Sequence, residues 1–479
     1  MVFNSIEFVI FFVIFFLVYY FPLKEKTNLQ NIFLLVASCV FYAWVNWKIL
    51  PILVLSTIIF YWVGIGIHSA KSELRKSLYT TFGLVAGIGL LVYFKYTNFF
   101  ITSFKNVFDC VGLHTNWHTF KIIMPLGISF YTFRLLSYVI DIKRGKYEPT
   151  RDFVVFSAYV AFFPTILSGP IDRPNTLIPQ LQKERLFNYE LAVDGCRQIL
   201  WGAFKKIVVA DNCAIYVNQI YDTIPLQSGS SLLLGAVFYT FQLYADFSGY
   251  SDMAIGLGKV LGFNLTKNFN YPLFAQNIAD YWRRWHISLT SWLTDYVFMP
   301  LNIKWRNWGN LGMIFAIIVD FIICGLWHGD NWTYVLWGLY HGLLYIPLIL
   351  SGAMFKKIKM ETNKLGLPKL KNMVNMLLTF FLVTNGLILF RAENFNQAAS
   401  YIERILSSSI VSLPTGGIKK MFPLIFILII VEWVQRNKNH GLEINALKSH
   451  VIKFGIYYFL IGLIIWFSCK SSAFIYLQF

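Results

Sequence analysis

Two histidines stand in contexts that suit acid–base chemistry. His328 follows an apolar run in the local sequence CGLWHG, and His286 lies in WRRWHISL. An imidazole with its ordinary pKa of about 6.5 can take a proton from a hydroxyl at physiological pH. The residues alone leave catalysis and helix packing equally open for His328, and they favour a membrane-interface anchor for His286.

Carboxylates inside apolar runs are a second candidate feature. Asp246 shares a predicted helical face with Tyr239, Gln242 and Tyr250, at spacings of i, i+3, i+7 and i+11. Asp320 lies two helical turns before His328, with Cys324 between them. A charge near the bilayer centre costs at least about 2.5–3.5 kcal/mol. Such groups either tie helices together or line a cavity, and both interpretations remain open.

The elements that position these residues must be membrane helices. Of 479 residues, 57% are hydrophobic and only 14% are charged, against about 25% charged in a soluble domain. The apolar residues also form long runs, which excludes disorder, a coiled coil and an ordinary soluble enzyme. We expect an all-α polytopic membrane protein with about a dozen crossings. The segment ILSGPIDRP at 166–174 cannot be a continuous helix, so it should re-enter or lie against protein.

Basic residues indicate the orientation of the chain. The net charge of +17 is best explained by basic loops kept in the cytoplasm, since no basic run suits nucleic acid. Every second loop in the N-terminal part of the chain is basic, and the segments 356–371 and 436–453 are basic as well. We therefore expect both termini outside the cytoplasmic membrane, in a single membrane domain. Its parts are N-terminal spans at 1–175, a core at 176–355 and C-terminal spans at 356–479.

The segment Tyr281–Leu301 has the pattern of one amphipathic helix lying in the membrane interface. An aromatic and apolar stripe runs along it, with Arg283 on the other side. The stripe consists of Trp282, Trp285, Leu289, Trp292 and Tyr296.

Other chemistries lack their motifs. His114 and His118 are four residues apart but have no suitably spaced third ligand, so no metal site is expected. The six cysteines form no CxxC pair. GxSxG and GxGxxG are both missing, which argues against a nucleophile elbow and a dinucleotide site.

Taken together, these stretches resemble the membrane-bound O-acyltransferase family, in its alginate O-acetylation branch. The resemblance covers most of the chain and depends on the number and order of its pieces. They are MPLGISFY, FPTILSGPIDRP, ADFSGYSDMAIG, WRRWHISLTSWL, GLWHG, LFRA and the C-terminal FIYLQF.

The resemblance implies a fold and a set of roles. The fold is a ring of about twelve transmembrane helices around a central funnel or tunnel, with short tilted, re-entrant and interfacial helices. His328 would be catalytic and His286 the second functional histidine. Arg283 or Arg284 could bind donor phosphates, although anchoring to lipid headgroups is the more ordinary role. The expected tunnel lining is Trp282, Trp285, Trp327, Tyr244, Asp246 and Asp320.

The implied reaction is transfer of an acetyl or other short acyl group to an extracellular or periplasmic polysaccharide. The donor would be acetyl-CoA or an acyl-carrier thioester from the cytoplasm, with no tightly bound cofactor. A periplasmic SGNH-type acetyltransferase would be the partner. Two alternatives stay open: D-alanyl transfer to teichoic acid, which the chain length and FIYLQF disfavour, and a non-catalytic lipid or glycan transporter.

Overall fold

The computed structural model describes residues 1–414, 418–468 and 474, and every long element in this part of the chain is a helix. Two compact units are present. One comprises residues 1–196 with 254–266, and the other comprises residues 197–253 with 267–479. The all-α class predicted from composition is confirmed, whereas the ring around a tunnel and the three-part division stay predictions.

The α-helices follow one another with short connections. In chain order they are α1 (Ile6–Tyr20), α2 (Thr27–Ala43), α3 (Leu50–Ser69), α4 (Glu73–Leu91), α5 (Thr97–Cys110), α6 (Ile128–Lys143), α7 (Phe153–Ala161), α8 (Pro174–Gln182), α9 (Tyr189–Ala203), α10 (Asp211–Asp222), α11 (Gly229–Val260), α12 (Ile278–Trp282), α13 (Ile287–Leu293), α14 (Met299–Lys304), α15 (Asn310–His328), α16 (Trp332–Leu344), α17 (Ile346–Leu350), α18 (Leu370–Arg391), α19 (Phe395–Ile405), α20 (Met421–Val434) and α21 (His450–Trp466). Wider π-helical turns occur at Val92–Tyr96, Phe204–Ala210 and Thr294–Phe298.

Five helical stretches in the described part of the chain are long and apolar enough to cross a membrane. They are Trp47–Ser69, Glu73–Cys110, Asn310–His328, Trp332–Leu350 and Leu370–Arg391. The shorter apolar helices are α1, α2, α20 and α21. Several of these helices present large apolar side chains at their surface, as α1 does with Ile6, Val9 and Ile14. Such faces suit lipid, and the multi-pass expectation is supported.

The chain is not helical between α7 and α8, as the sequence predicted for 166–174. Phe162, Phe163 and Ile166 there are at most 1% exposed, so this irregular backbone lies against protein. The buried guanidinium of Arg134 donates to the carbonyl of Tyr159 (2.8 Å). It also donates to Oγ1 of Thr165 (2.7 Å). These bonds supply polar partners to a backbone that hydrocarbon could not satisfy.

Glycines bring α15 and α16 into direct backbone contact. A Cβ on Gly325 would lie 2.1 Å from the carbonyl oxygen of Tyr334, and one on Gly338 would lie 2.2 Å from that of Phe321. No larger residue fits at these distances, so glycine at both positions is what lets the two helices approach closely. This contact fixes the end of α15, where His328 lies.

The predicted single helix across Tyr281–Leu301 is wrong. The chain forms α12 and α13 as separate short helices, and the break lies at His286, whose φ is +45°. The aromatic stripe is also not a lipid-facing surface, because Trp282, Trp285 and Trp292 are only 4–5% exposed. The regular spacing of these apolar residues therefore reflects burial within the protein and not contact with lipid.

Candidate active site

His328 is the last residue of α15 and is 3% exposed. Its ring packs edge-to-face on Trp337 (5.2 Å between centroids) and Phe390 (5.1 Å). Its Nε2 lies 4.0 Å from Sγ of Cys324, one turn earlier on the same helix. The predicted shared face of Asp320, Cys324 and His328 places a thiol directly beside this imidazole.

His286 is fully buried and begins α13. Its side chain caps that helix, since the backbone N–H of Leu289 donates to Nδ1 of the imidazole (3.2 Å). The ring packs edge-to-face against Phe247, with centroids 4.6 Å apart. Burial lowers the pKa of His286, so the ring is neutral at physiological pH.

The structure brings the two predicted histidines together through one indole. Trp327 packs edge-to-face against His286 on one side (5.7 Å) and against His328 on the other (5.0 Å). Residues 42 positions apart in the chain (286 and 328) therefore form one buried aromatic cluster. The roles expected of these two histidines stay predictions.

A third histidine extends the cluster. The indole N–H of Trp282 donates to Nδ1 of His341 (3.3 Å). Trp337 packs against His341 (4.9 Å) as well as against His328. The sequence predictions above do not include His341, and the glycines beside it in the sequence, Gly338 and Gly342, were the available signal.

A cavity of about 410 Å³ lies beside this cluster. Of the predicted lining residues, Trp282 and Asp320 contribute to its wall, together with Arg283. Cys324 also lines it and contacts His328 on its other side. Asp320 is 8% exposed, and within the described part of the chain its Oδ1 is buried without a hydrogen-bond partner.

The two candidate phosphate-binding arginines differ in availability. Arg284 forms an ion pair with Asp280 (2.9 Å). Arg283 is exposed and donates to the carbonyl of Met354 (3.1 Å) at the rim of the cavity. Arg283, which lines the cavity, is therefore the better placed of the two for an anionic ligand.

Four of the predicted lining residues are not part of this cavity wall. Trp327 lies against the two histidines, and the other three have partners elsewhere. Trp285 stacks on Tyr281 (5.5 Å). The hydroxyl of Tyr244 lies 2.8 Å from both carboxylate oxygens of Glu432. Asp246 pairs with Lys206 (2.7 Å). None of the three lines the cavity described above, and for Asp246 the helix-tying interpretation is the one observed.

Asp246 belongs to a buried ionic cluster that the sequence reasoning missed. Lys206 also pairs with Asp211 (2.8 Å), and Lys205 pairs with Asp252 (2.6 Å). Both lysines lie in the π-helical turn Phe204–Ala210 and are buried. The signal available in the sequence was the adjacent pair Lys205 and Lys206 inside an apolar run. Glu432 similarly stands alone as a charge in the apolar helix α20.

No group of three His, Cys, Asp or Glu side chains that could hold a metal ion occurs among residues 1–414, 418–468 and 474. The C-terminal FIYLQF segment lies outside the described residues except for Phe474, which stacks on Tyr250 (4.6 Å).

The chain is similar to known proteins over most of its length. Residues 149–385 match the model of the membrane-bound O-acyltransferase family. The chain is 37% identical to a probable alginate O-acetylase of Pseudomonas aeruginosa, over 85% of this chain and 75% of that protein. It is 29% identical to a peptidoglycan O-acetyltransferase of Helicobacter pylori, over 100% and 98%. A teichoic acid D-alanyltransferase of Bacillus subtilis is 29% identical over 58% and 71%.

The chain belongs to the membrane-bound O-acyltransferase family. It is therefore a multi-pass membrane enzyme of the O-acyltransferase class. Its match to the family model includes His286, His328 and His341.

Proposed function

We propose that the protein transfers an acetyl or other short acyl group from a cytoplasmic thioester for O-acetylation of an extracellular or periplasmic polysaccharide. The observation that carries this proposal is the pair of buried histidines that share Trp327 beside an apolar cavity. The O-acetylase and O-acetyltransferase relatives favour acetate over other groups.

His328 is the proposed general base. It takes the proton of an acceptor hydroxyl as the oxygen bonds to the thioester carbonyl carbon, and the departing thiolate then receives that proton. The surrounding rings of Trp327, Trp337 and Phe390 exclude water, which limits hydrolysis of the thioester. Cys324 lies between this base and the cavity, so a thioester reaching Cys324 is within reach of His328.

The cavity suits the entry of the donor. Its rim includes Met354 and Phe355, which adjoin the Lys-rich stretch expected in the cytoplasm. Arg283 and the lysines of that stretch would attract the phosphates of acetyl-CoA or of an acyl-carrier arm. The apolar walls would hold the rest of the arm. On the far side, a periplasmic SGNH-type acetyltransferase would receive the acyl group, through a tunnel at the centre of the helix ring.

Replacement of His328 tests the proposal. We expect His328→Ala to abolish ester-linked acetate on the cell-envelope polysaccharide at unchanged protein level, because no other group takes the hydroxyl proton. His118→Ala is the matched control, since His118 is exposed in a loop and should leave acetylation normal. Ester content is measured after alkaline release. Wild-type acetylation by His328→Ala would refute the catalytic assignment.

D-alanyl transfer to teichoic acid is the second candidate, because a D-alanyltransferase is among the relatives. Cells fed labelled acetate and labelled D-alanine separate the two. Label from acetate alone, lost with His328→Ala, supports acetyl transfer, whereas label from D-alanine alone overturns it. A transporter without chemistry would release no free CoA from acetyl-CoA, and membership of an acyltransferase family argues against it.

A further inference from the structure

Another cavity, of about 470 Å³, lies within the first of the two compact units. Its wall combines apolar side chains with two lysines. Ile52 of α3, Phe94 and Ile123 are among the apolar residues, and Lys48 and Lys121 are the charged ones. Among the described residues that line this cavity, none is acidic. The cavity therefore joins an apolar space to two positive charges.

The two lysines have no counter-ion within the described part of the chain. Both side chains are exposed, and neither forms an ion pair or a side-chain hydrogen bond there. At the beginning of α4, by contrast, Lys76 and Lys143 share Glu73 (2.9 Å each). By the orientation predicted from the basic loops, Lys48 and Lys121 lie outside the cytoplasm, where lysines are less common. Two ammonium groups at one cavity suit an anionic group of a ligand.

Exposed aromatic side chains indicate that this cavity lies at the level of the membrane interface. Trp44 and Trp47, which precede Lys48, are 58% and 70% exposed. Tyr93, on the cavity wall, is 58% exposed. Exposed Trp and Tyr are enriched where lipid headgroups meet the hydrocarbon. The lysines are therefore level with the lipid phosphates, whereas Ile52, one turn further along α3, lies at the level of the acyl chains.

Hydrogen bonds hold the irregular part of the wall in place. Asn98 in α5 binds both backbone groups of Phe120: its Nδ2 donates to the carbonyl oxygen (2.9 Å), and its Oδ1 accepts the N–H (2.9 Å). The hydroxyl of Tyr42 donates to the carbonyl oxygen of Leu126 (2.9 Å), further along the same stretch. The π-helical turn Val92–Tyr96 forms another part of the wall. Such turns are frequent at functional sites, and here the cavity is preformed by a fixed backbone.

We propose that this cavity is a binding site for one anionic phospholipid. The lipid phosphate lies between the ammonium groups of Lys48 and Lys121, and an acyl chain lies along Ile52 and Ile123. Free phosphate would leave the apolar wall uncovered, and a glycan has no long apolar chain to cover it, so a lipid is the ligand that matches both parts of the lining. The site does not depend on the acyl transfer proposed above.

Lipid binding to the full chain tests the role of the lysines. Protein purified in neutral detergent is titrated with phosphatidylglycerol, and bound lipid is measured by native mass spectrometry. We expect Lys48→Gln combined with Lys121→Gln to weaken binding of the most tightly held lipid about 20-fold, because each lysine near an anionic headgroup contributes about fivefold. Both side chains are exposed, so this variant should fold normally.

A matched variant controls for the loss of net charge. Lys71→Gln combined with Arg75→Gln removes two exposed charges beyond the other end of α3, and its phosphatidylglycerol binding should stay within twofold of the wild type. Phosphatidylcholine with the same acyl chains should bind more weakly and be insensitive to both pairs of substitutions. Equal binding of phosphatidylglycerol by the wild type and by the Lys48 and Lys121 variant overturns the proposal. An equally large loss in the control variant also overturns it.

The apolar wall has its own test. Ile52→Trp keeps both lysines but fills the space of the acyl chain, so we expect phosphatidylglycerol binding to fall about 10-fold, the equivalent of about two buried methylene groups. Unchanged binding by Ile52→Trp would show that no acyl chain enters the cavity, and the assignment would fail.

Two soluble anions represent the alternative ligands. Neither inorganic phosphate nor an acidic oligosaccharide, each in large excess, should displace the bound phosphatidylglycerol. Displacement by inorganic phosphate would indicate a free-phosphate site, and displacement by the oligosaccharide would indicate a glycan site. Either result overturns the lipid assignment. None of these measurements uses an acetyl donor, so they leave the proposed acyl transfer untouched.

Discussion

At the scale of single residues, the buried charges divide between two tasks. Asp320 contributes to the wall of a cavity, whereas Asp246 and Asp211 are both paired with Lys206. A buried carboxylate that loses its cationic partner is costly. The paired carboxylates instead secure α10 and α11 to the π-helical turn that carries both lysines.

Removal of Lys206 should be severe for this reason. Lys206→Met takes away the ammonium group that Asp246 and Asp211 share, and we expect about 3–5 kcal/mol less stability, measured as earlier thermal unfolding in detergent. Adding Asp246→Asn should restore part of it. Lys369→Met is the control, because its pair with Glu361 is exposed and contributes at most about 1 kcal/mol. Equal unfolding temperatures for Lys206→Met and Lys369→Met would contradict the role given to the cluster.

The sequence indicated the histidines better than it indicated their surroundings. His328 and His286 were found because each lies in a short motif with recognisable neighbours. Lys205, Lys206 and Glu432 were missed, although each interrupts an apolar run. The charge itself was visible, but its partners lie on other helices, and only the tertiary fold shows which carboxylate meets which amine.

At the scale of elements, the prediction that failed was a continuous helix across Tyr281–Leu301, which is broken at His286. The spacing of Trp282, Trp285 and Leu289 continues through the break, so periodicity predicts one helix. What overrides it is a set of hydrogen bonds that Ile287 and Ser288 donate to Asn268, a residue of a different segment. Local sequence carries no record of those bonds. By contrast, the irregular segment at 166–174 was predictable because its Gly and Pro residues disfavour helix locally.

The contact between α15 and α16 offers an element-scale prediction. In Gly338→Ala the new methyl would lie 2.2 Å from the carbonyl oxygen of Phe321, so the helices must separate. We expect a loss of about 1–3 kcal/mol in stability and a larger loss of acylation, since Trp337 then shifts against His328. Gly462→Ala meets no atom within 4 Å and should change neither. Normal acylation by Gly338→Ala would show that this contact does not position the base.

At the scale of the whole molecule, composition was sufficient for the class. A chain with 14% charged residues is built from apolar helices, and the five long candidate spans agree. Composition could not predict the two compact units, because each unit combines two stretches that are distant in the sequence. The bounds of the helices also do not show in which direction each span crosses the membrane. That direction is a separate prediction, made from the basic loops.

That direction can be measured with the chain's own cysteines. If the basic loops are cytoplasmic, the exposed thiol of Cys110, at the end of α5, lies outside. Lys356, which follows the span Trp332–Leu350, then lies inside. In a Cys196→Ser background, a membrane-impermeant maleimide should label Cys110 in intact spheroplasts, and Cys110→Ser should remove that signal. Combined with Cys110→Ser, Lys356→Cys should react only after permeabilisation. Labelling of Lys356→Cys in intact spheroplasts would reverse the orientation and place the donor cavity on the wrong side for a cytoplasmic thioester.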